Sequence, residues 1–536
     1  MKKIVTASIV TALALTSVQA QSTTQRLADI EAELAKVKKD LKKQKKKLNE
    51  VKAHDAGDNI KWGADIRTAY DNINYDMADG SSVGKDSLYS LRLWLNMAYA
   101  PNANNVFKGQ LSMNKAFGAS FDNPMMRPYD AFDWTSNEAL TDNTLKVRQA
   151  YWLYLGENAF GADMPWTFSL GRRPSTNGFL ANLAQDDPAQ SPLGHIINVE
   201  FDGLSSKLDL SNVTGVPGMS IKLCIGYGST NAVPLIGSAT PNADVEANGL
   251  DDIKLAGFIF EPYNDGQFIV KATAFKAYDL PDLIDPMAGP MIPADPTNPA
   301  AGMLLNPMFG AMQQVGDMSG AALSVLVDGV TEEGYFSDAK LFGSFAWSET
   351  DPADGQTMLG SADSESGTSY WFGAYLPVTD GEGENYGTVG LEYNHGSQYW
   401  RPFTYAEDTM IGSKMAARGD AWEANYTYQL TEALSMQLRY VNIDYDYTGS
   451  NGFFGSTTGG AMKISDVKAG AQGFADVNAA VAAGLAPDPI SAIQGQMGVD
   501  AATATEMYTQ MAMADAFLPS IVESAQDFRF YIRYRF

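Results

Sequence analysis

The chain ends in Phe528-Arg529-Phe530-Tyr531-Ile532-Arg533-Tyr534-Arg535-Phe536, in which apolar side chains alternate with basic or polar ones. In an extended strand, successive side chains point to opposite faces. One face of this strand is aromatic or aliphatic, as lipid requires, and the other carries three arginines. The stretch therefore predicts a membrane-spanning strand that ends a β-barrel.

The same alternation recurs upstream in segments of about ten residues, the length that a tilted strand needs to cross a bilayer. These segments start near Asn59, Leu88, Asn105, Thr144, Trp166, His195, Met219, Ile253, Phe268, Ala322, Phe336, Tyr370, Tyr386, Trp422, Leu434 and Asp527. The sequence thus predicts an all-β fold, a transmembrane antiparallel β-barrel of about 16 strands over residues 56–536, with a short coiled-coil helix before it.

The links between the predicted strands differ in length on the two sides. Short links follow even-numbered strands, and long links follow odd-numbered strands. The longest predicted extracellular loops are 116–143, 229–250, 278–317 and 447–524. This asymmetry is typical of outer-membrane barrels, and a soluble β-sandwich or β-helix would not explain it. We expect the two longest loops either to cap the barrel or to fold inward, and the apolar residues at 303–309 favour inward folding for 278–317.

The N-terminus resembles a secretory signal. Lys2 and Lys3 precede an apolar run from Ile4 to Leu15, and Val18-Gln19-Ala20 supplies small residues for cleavage before Gln21. The run is shorter than the roughly 20 residues of a spanning helix. We therefore expect residues 1–20 to be a cleaved signal peptide.

Residues 21–55 carry a heptad pattern of apolar positions. The seam runs through Leu27, Ile30, Leu34, Val37, Leu41, Gln44, Leu48 and Val51. It predicts a periplasmic coiled coil, and the residue types favour an assembly of three or more helices over one of two. A single solvated helix stays possible, because five lysines surround Gln44 and would repel one another in a bundle.

Alternation also predicts which charged side chains face the barrel interior. The pore-lining candidates are Lys61, Asp65, Arg67, Arg92, Lys108, Lys146, Arg148, Glu392, Glu423, Arg439, Arg529, Arg533 and Arg535. This set is basic although the chain has a net charge of −25, because acidic residues are expected mainly in turns and loops such as 71–79. Two interpretations stay open. The charges pair across strands and stiffen the wall, or they project unpaired and favour anionic solutes.

Catalysis and metal binding find little support. The three histidines lie in separate segments, the single cysteine excludes a disulfide framework, and no nucleophile elbow, metalloprotease or phosphate-loop motif occurs. The acidic stretch from Asp71 to Asp76 lacks the spacing of a calcium loop. We expect no enzymatic activity, no catalytic or metal-binding residue and no cofactor.

Several stretches resemble a family of porin-like outer-membrane proteins that is catalogued as a domain of unknown function. They are Gly171-Arg172-Arg173-Pro174-Ser175-Thr176-Asn177-Gly178, Phe201-Asp202-Gly203-Leu204, Gly390-Leu391-Glu392-Tyr393-Asn394-His395-Gly396-Ser397-Gln398-Tyr399-Trp400 and Tyr445-Asp446-Tyr447-Thr448-Gly449-Ser450. The resemblance runs from about Ile60 to the C-terminus and implies a barrel with a transport role. The Gly-Arg-Arg-Pro stretch is also similar, more weakly, to phosphate-selective and carbohydrate porins.

These features together predict a porin in a Gram-negative outer membrane that allows passive diffusion of small hydrophilic solutes or ions. The expected partners are outer-membrane lipid and lipopolysaccharide, the barrel-assembly machinery, which recognises an aromatic C-terminal strand, further copies in a homotrimer, and the cell wall through the basic coil. No nucleic acid is expected. The alternatives are a surface structural or adhesive barrel, or a sheath for a partner such as an electron carrier.

Overall fold

The computed structural model describes residues 60–119, 140, 143–173, 177–229, 251–283, 292–293, 303–304, 312–331, 333–380, 384–404, 409–450 and 460–536. The predicted signal peptide and coiled coil lie outside these residues. Most of the predicted loops 116–143, 229–250 and 278–317 also lie outside them, so inward folding of 278–317 stays a prediction.

Sixteen antiparallel strands form one closed barrel. They are Lys61–Met77 (β1), Ser82–Tyr99 (β2), Asn105–Ala116 (β3), Lys146–Gly156 (β4), Trp166–Arg173 (β5), Phe201–Asp209 (β6), Ser220–Ser229 (β7), Ile253–Asn264 (β8), Phe268–Leu283 (β9), Met312–Asp328 (β10), Lys340–Pro352 (β11), Ser366–Thr379 (β12), Asn385–Gly396 (β13), Gly419–Gln429 (β14), Leu434–Tyr445 (β15) and Val522–Arg535 (β16). Each strand pairs with the next, and β16 closes the ring against β1. The predicted fold class is confirmed.

The outer face of the barrel is apolar. Trp62, Leu223, Phe345, Leu391 and Ile532 are examples of large side chains that are 44–62% exposed there. Their neighbours along each strand point inward, as the period of two requires. The described part of the chain contains no helix with the length and apolar character to cross a membrane.

The strands are joined by short turns at one end, here called the turn end, and mostly by long loops at the other, the loop end. One loop-end connection is itself short, because β1 and β2 are separated by residues 78–81 alone. The expectation that 71–79 forms a turn or loop was wrong. The stretch continues β1 as far as Met77, and Asp71 is fully buried inside the barrel.

A β-bulge on β4 reverses the faces predicted for part of that strand. Gln110 pairs with Gln149, but the next residue of β3, Leu111, pairs with Val147, so β4 contains one extra residue. Because a shift of one residue exchanges the two faces of a strand, Trp152 is exposed on the outer face. Simple alternation from the predicted inward residues Lys146 and Arg148 places Trp152 inside.

Two connections at the loop end fold into the barrel. The first inner segment, 177–200, lies between β5 and β6, and the second inner segment, described at 397–404 and 409–418, lies between β13 and β14. They meet where Phe403–Thr404 pairs in parallel with Ile197–Asn198. Within the first inner segment, Gly178–Phe179 pairs in parallel with Gln190–Leu193. The predicted strand start at His195 was therefore wrong, because His195 belongs to the first inner segment and β6 begins at Phe201.

An apolar core holds the inner segments against one side of the barrel wall. Leu193 and Ile196 of the first segment and Trp400 of the second are fully buried there, packed with wall residues that include Leu255 and Phe275. Burial of each such side chain contributes roughly 1.5–3 kcal/mol. This side of the interior is thus packed like a protein core.

The β15–β16 connection carries three helices, Ile464–Ala482 (α1), Pro489–Met497 (α2) and Ala501–Phe517 (α3). The carboxylates of Asp488 and Asp500 cap α2 and α3 by accepting backbone N–H groups. The helices share a small core of Val477, Ala492, Ile493 and Ala504. The base of α1 packs through Ile464 and Val467 near the loop end of the barrel.

The remaining elements are short. They are the helical turn Ser211–Thr214, the 3-10 turns Ala159–Gly161, Ala181–Gln185, Tyr335–Asp338, Lys414–Ala416 and Leu518–Ser520, and a hairpin in which Ile292–Pro293 pairs with Met303–Leu304.

Candidate pore lining

Three arginines oppose one another at the seam where the barrel closes. Arg67 on β1 pairs in register with Arg92 on β2 and with Arg533 on β16. All three are almost fully buried on the inner face. Like charges directly opposite one another repel, so this row requires compensating groups.

Two aspartates compensate this row. The Nε atom of Arg533 donates to both carboxylate oxygens of Asp65, at 2.9 and 3.0 Å, and Arg92 lies 3.7 Å from the same carboxylate. The carboxylate of Asp187, from the first inner segment, lies 2.8 Å from Arg533 and 3.0 Å from Arg535. The seam thus binds the first inner segment through ion pairs.

Polar contacts hold the same segment at neighbouring points. Arg67 donates to the side-chain oxygen of Gln185 at 3.3 Å. The side-chain amide of Gln437 on β15 donates to the carbonyl oxygen of Ala184 at 2.8 Å. The segment therefore lies against the inner faces of β1, β15 and β16.

A second anchor lies at the end of the first inner segment. Glu200, fully buried immediately before β6, is 2.6 Å from Arg148 on β4 and 3.7 Å from Arg172 on β5. Arg148 also lies over the ring of Trp94, 4.3 Å from its centroid, a favourable cation–π geometry.

A further, fully buried ion pair joins the first and last strands. The Nε atom of Arg529 is 2.5 Å from Asp71, and both side chains are fully buried. Breaking a buried pair from one side is strongly destabilising, because the remaining charge is left without compensation. Removal of either partner is therefore expected to destabilise the closed seam.

The second inner segment is fixed by a buried lysine. The ammonium of Lys414 lies 2.6 Å from both Glu392 on β13 and Glu423 on β14, and Arg439 on β15 is 2.8 Å from Glu423. Burial lowers the pKa of Lys414, but the two carboxylates outweigh it and hold the pKa above the ordinary value. The lysine is therefore charged and ties the segment to the wall.

His195 joins the first inner segment to the opposite side of the wall. Its two ring nitrogens lie 2.8 Å from the hydroxyl of Ser344 and 2.9 Å from that of Ser369. The ring is fully buried against Trp371 and Trp400. Burial lowers the pKa of His195 to about 3, so the ring is neutral at physiological pH. Its role is packing and hydrogen bonding.

The structure brings most of the predicted residues together on the inner wall. Asp65, Arg67, Arg92, Arg148, Glu392, Glu423, Arg439, Arg529 and Arg533 are all buried there. Arg535 is half-buried, Lys146 is partly exposed, and Lys61 and Lys108 are exposed near the turn end. The wall residues are held mostly by ion pairs, as in the first of the two interpretations left open by the sequence.

Alternation missed the charges that the inner segments supply. Asp186, Asp187, Glu200 and Lys414 lie in irregular stretches without a period of two. The sequence signal for these charged residues was the apolar content of the two connections that carry them. In the first inner segment, the strand predicted from His195 obscured this signal. Among the described residues, no three His, Cys, Asp or Glu side chains form a candidate metal site.

The chain is similar to a known family and to solved barrels. A family model described as "Protein of unknown function (DUF3373)" matches residues 82–484. No curated protein sequence matches.

Three of the similar solved structures are outer-membrane proteins. OmpT of Vibrio cholerae is 12% identical, with 89% of this chain and 97% of that chain covered and a TM-score of 0.40. OmpF of Salmonella typhi, in complex with daunomycin, is 11% identical, with 90% and 99% covered and a TM-score of 0.42. OprB of Pseudomonas putida is 11% identical, with 91% and 96% covered and a TM-score of 0.41.

Proposed function

The chain belongs to the DUF3373 family, whose model covers residues 82–484, and we propose that it is an outer-membrane porin for passive diffusion of small hydrophilic solutes or ions. The observation that carries the proposal is the two-faced wall. An apolar outer surface encloses an interior in which charged side chains of β1, β2 and β16 face the first inner segment. Such a wall suits an aqueous passage narrowed by a loop.

The passage lies along the basic side of the interior in this proposal. The opposite side is filled by the apolar core around Leu193 and Trp400, whereas the arginine side, where the first inner segment covers the arginines, is polar and charged. Ion pairs moderate the positive charge there, but arginines and lysines outnumber the carboxylates among the residues of the candidate lining. We therefore expect a weak preference for anions despite the acidic chain.

Reversal potentials test this function. The purified protein is placed in a planar bilayer with a potassium chloride gradient across it. We expect stable single-channel currents and a reversal potential shifted toward the equilibrium potential of chloride. The local charge of the lining should outweigh the charges of distant loops, because salt screens the latter. A cation preference would contradict the selectivity, and a barrel that inserts but conducts no ions would contradict the porin function.

The second candidate function is a structural or adhesive surface barrel. The apolar packing of both inner segments favours it, because a filled interior conducts poorly. Conductance again separates the two. A sealed barrel would stay closed even after the helices between β15 and β16 are removed.

The other features of the proposal stay predictions. They are the signal peptide, the periplasmic coiled coil, the homotrimer, and the contacts with lipopolysaccharide, the assembly machinery and the cell wall. The heptad pattern supports the trimer, and the apolar outer face supports the lipid contact.

A further inference from the structure

A small cavity lies between the first inner segment and the inner faces of β5 to β9, away from the arginine row at the seam. Its volume is about 30 Å³, enough for one or two water-sized groups. Its polar lining comes from Arg173, Ser191, Lys222, Cys224 and Thr273, and its apolar lining includes Ile197 and Phe275.

Arg173 is the most buried charge that lines this cavity, with 4% of its surface exposed. One terminal nitrogen of its guanidinium donates to the hydroxyls of Ser169 and Ser205. Its Nε atom is buried and has no hydrogen-bond partner in the described part of the chain. A buried, charged donor without a partner is costly, so the site lacks an acceptor.

Two lysines add positive charge beside Arg173. Lys222 on β7 pairs in register with Lys207 on β6, and the ammonium of Lys222 donates to the hydroxyl of Ser191 at 2.7 Å. Directly opposed like charges are destabilising. The arrangement therefore concentrates cations at one end of the cavity.

No carboxylate of the described residues lies within ion-pair distance of Arg173, Lys207 or Lys222. The ion pair beside them joins Glu261 to Lys271, at 3.5 Å, and so serves a different lysine. The cavity is thus lined by two cations, Arg173 and Lys222, by an orphaned guanidinium N–H and by hydroxyl and thiol groups, and Lys207 lies beside Lys222 on the neighbouring strand. These are the features of a site built for a negative ion.

We propose that this cavity binds one small monovalent anion of halide size, with chloride as the physiological ligand. The volume fits one ion of about the size of water with at most one further water-sized group, which favours a halide over a larger tetrahedral oxyanion such as sulfate. Arg173 and Lys222 supply the charge, and the Cys224 thiol is a further donor. Because Lys222 also binds Ser191 of the first inner segment, the ion fastens this segment to the wall. The proposal does not depend on conductance.

Thermal unfolding of the full chain in detergent micelles tests the site. At constant ionic strength, replacing sodium gluconate by sodium chloride is expected to raise the unfolding midpoint until it saturates, since a ligand that binds the folded state stabilises it. Bromide should act like chloride and sulfate should not. The variant Lys222→Met is expected to lose the saturable rise. The control Lys254→Met, which removes an exposed lysine paired with Asp279, should keep it.

Cys224 offers a second readout, whose main comparison uses the unaltered protein. It is the only cysteine of the chain, so a small neutral thiol reagent reports on this cavity alone. Chloride is expected to slow its modification in the unaltered protein, relative to gluconate, and to have no effect in Lys222→Met. Equal labelling rates in the two salts, or a sulfate effect equal to that of chloride, would overturn the proposal.

Discussion

At the scale of single residues, the interior is organised by charges whose partners lie far away in sequence. Arg533 is the clearest case, because it contacts both Asp65 on the first strand and Asp187 on an inner segment. An ion pair of this kind has two effects. It holds an element in place, and in the proposed porin it reduces the net charge along the passage.

We predict that Asp187→Asn increases anion preference. The substitution removes the carboxylate that faces both Arg533 and Arg535, while Asp65 still compensates Arg533. The reversal potential in a salt gradient should shift toward that of the anion. The matched control is Asp186→Asn, because Asp186 is 69% exposed and contacts Arg535 alone. An equal shift in both variants would contradict the assignment of Asp187 to the passage.

Acid should loosen the first inner segment through His195. The pKa of this ring is about 3 in the folded protein and 6.5 in a free histidine, so between these values the folded state binds fewer protons. The contribution of His195 to the free energy of unfolding is therefore fully present above pH 6.5. It is lost as the pH falls toward 3, by at most about 5 kcal/mol. Hydrogen exchange of the amide of Ile196 would measure this.

The control for this pH effect uses the other described histidine. His195→Gln should remove most of the pH dependence, because an amide does not titrate in this range. His395→Gln should keep it, since His395 lies beside Asp420 outside the buried core. A protection factor at Ile196, which is the exchange rate corrected for the intrinsic rate at each pH, that does not change between pH 7 and 4 would refute the prediction.

Residues on regular strands could be predicted well from the sequence, and residues near irregularities could not. Alternation placed Arg67 and Arg529 inside because nothing interrupts the period of two around them. It failed at Trp152, where one extra residue in β4 exchanges the faces. A bulge carries no strong local signal, since it is set by pairing with β3.

At the scale of elements, the barrel depends on two different kinds of stabilisation. Strands are held by backbone hydrogen bonds between neighbours, whereas the inner segments are held by side chains. The second inner segment is the more dependent on one residue, because Lys414 contacts two glutamates on adjacent strands.

We expect Lys414→Met to detach the second inner segment. The substitution leaves Glu392 and Glu423 buried without this cation, at a cost of about 3–5 kcal/mol. Thermal unfolding followed by circular dichroism should show a lower midpoint, and channel recordings should become noisier. Combining it with Glu392→Gln should recover part of the midpoint, because less negative charge stays buried. No recovery would indicate that packing, and not charge, holds the segment.

The sixteen strands could be predicted because each must satisfy lipid on one face and the interior on the other. The predicted loop 447–524 also contains the helix-favouring stretches 466–485 and 501–516, and α1 and α3 form there. The inner segments could not be predicted, because their folding depends on surfaces that distant strands provide. Ile196, for example, is buried by residues from β8 to β11.

At the scale of the whole molecule, the loop end carries a helical unit whose base packs beside the barrel mouth. Ile464 and Val467 of α1 share a cluster with Ile73, Ile443 and Ile521, while the upper part of the unit has its own core. The barrel and the upper helices are therefore expected to be separable.

Replacing residues 466–516 with a short glycine-serine linker should preserve the barrel and increase single-channel conductance, because the base of α1 packs beside the barrel mouth. Heat stability and the β-sheet signal in circular dichroism serve as controls for folding. A folded barrel with unchanged conductance would show that the helices stand clear of the passage.

Deleting residues 21–55 should abolish the trimer. The heptad seam from Leu27 to Val51 is the feature of the sequence that predicts three-fold association. Native mass spectrometry of the truncated and full proteins would compare their subunit numbers. A trimer that survives the deletion would place the association surface on the barrel.

The seam between β1 and β16 also bears on how the barrel assembles. Asp71 and Arg529 are separated by 458 residues and Asp65 and Arg533 by 468, so these pairs form only when the two ends of the chain meet. A closure shifted by one residue would direct the arginines of β16 into lipid. The charges therefore favour one register of pairing between β1 and β16, so that closure of the barrel is completed in that register.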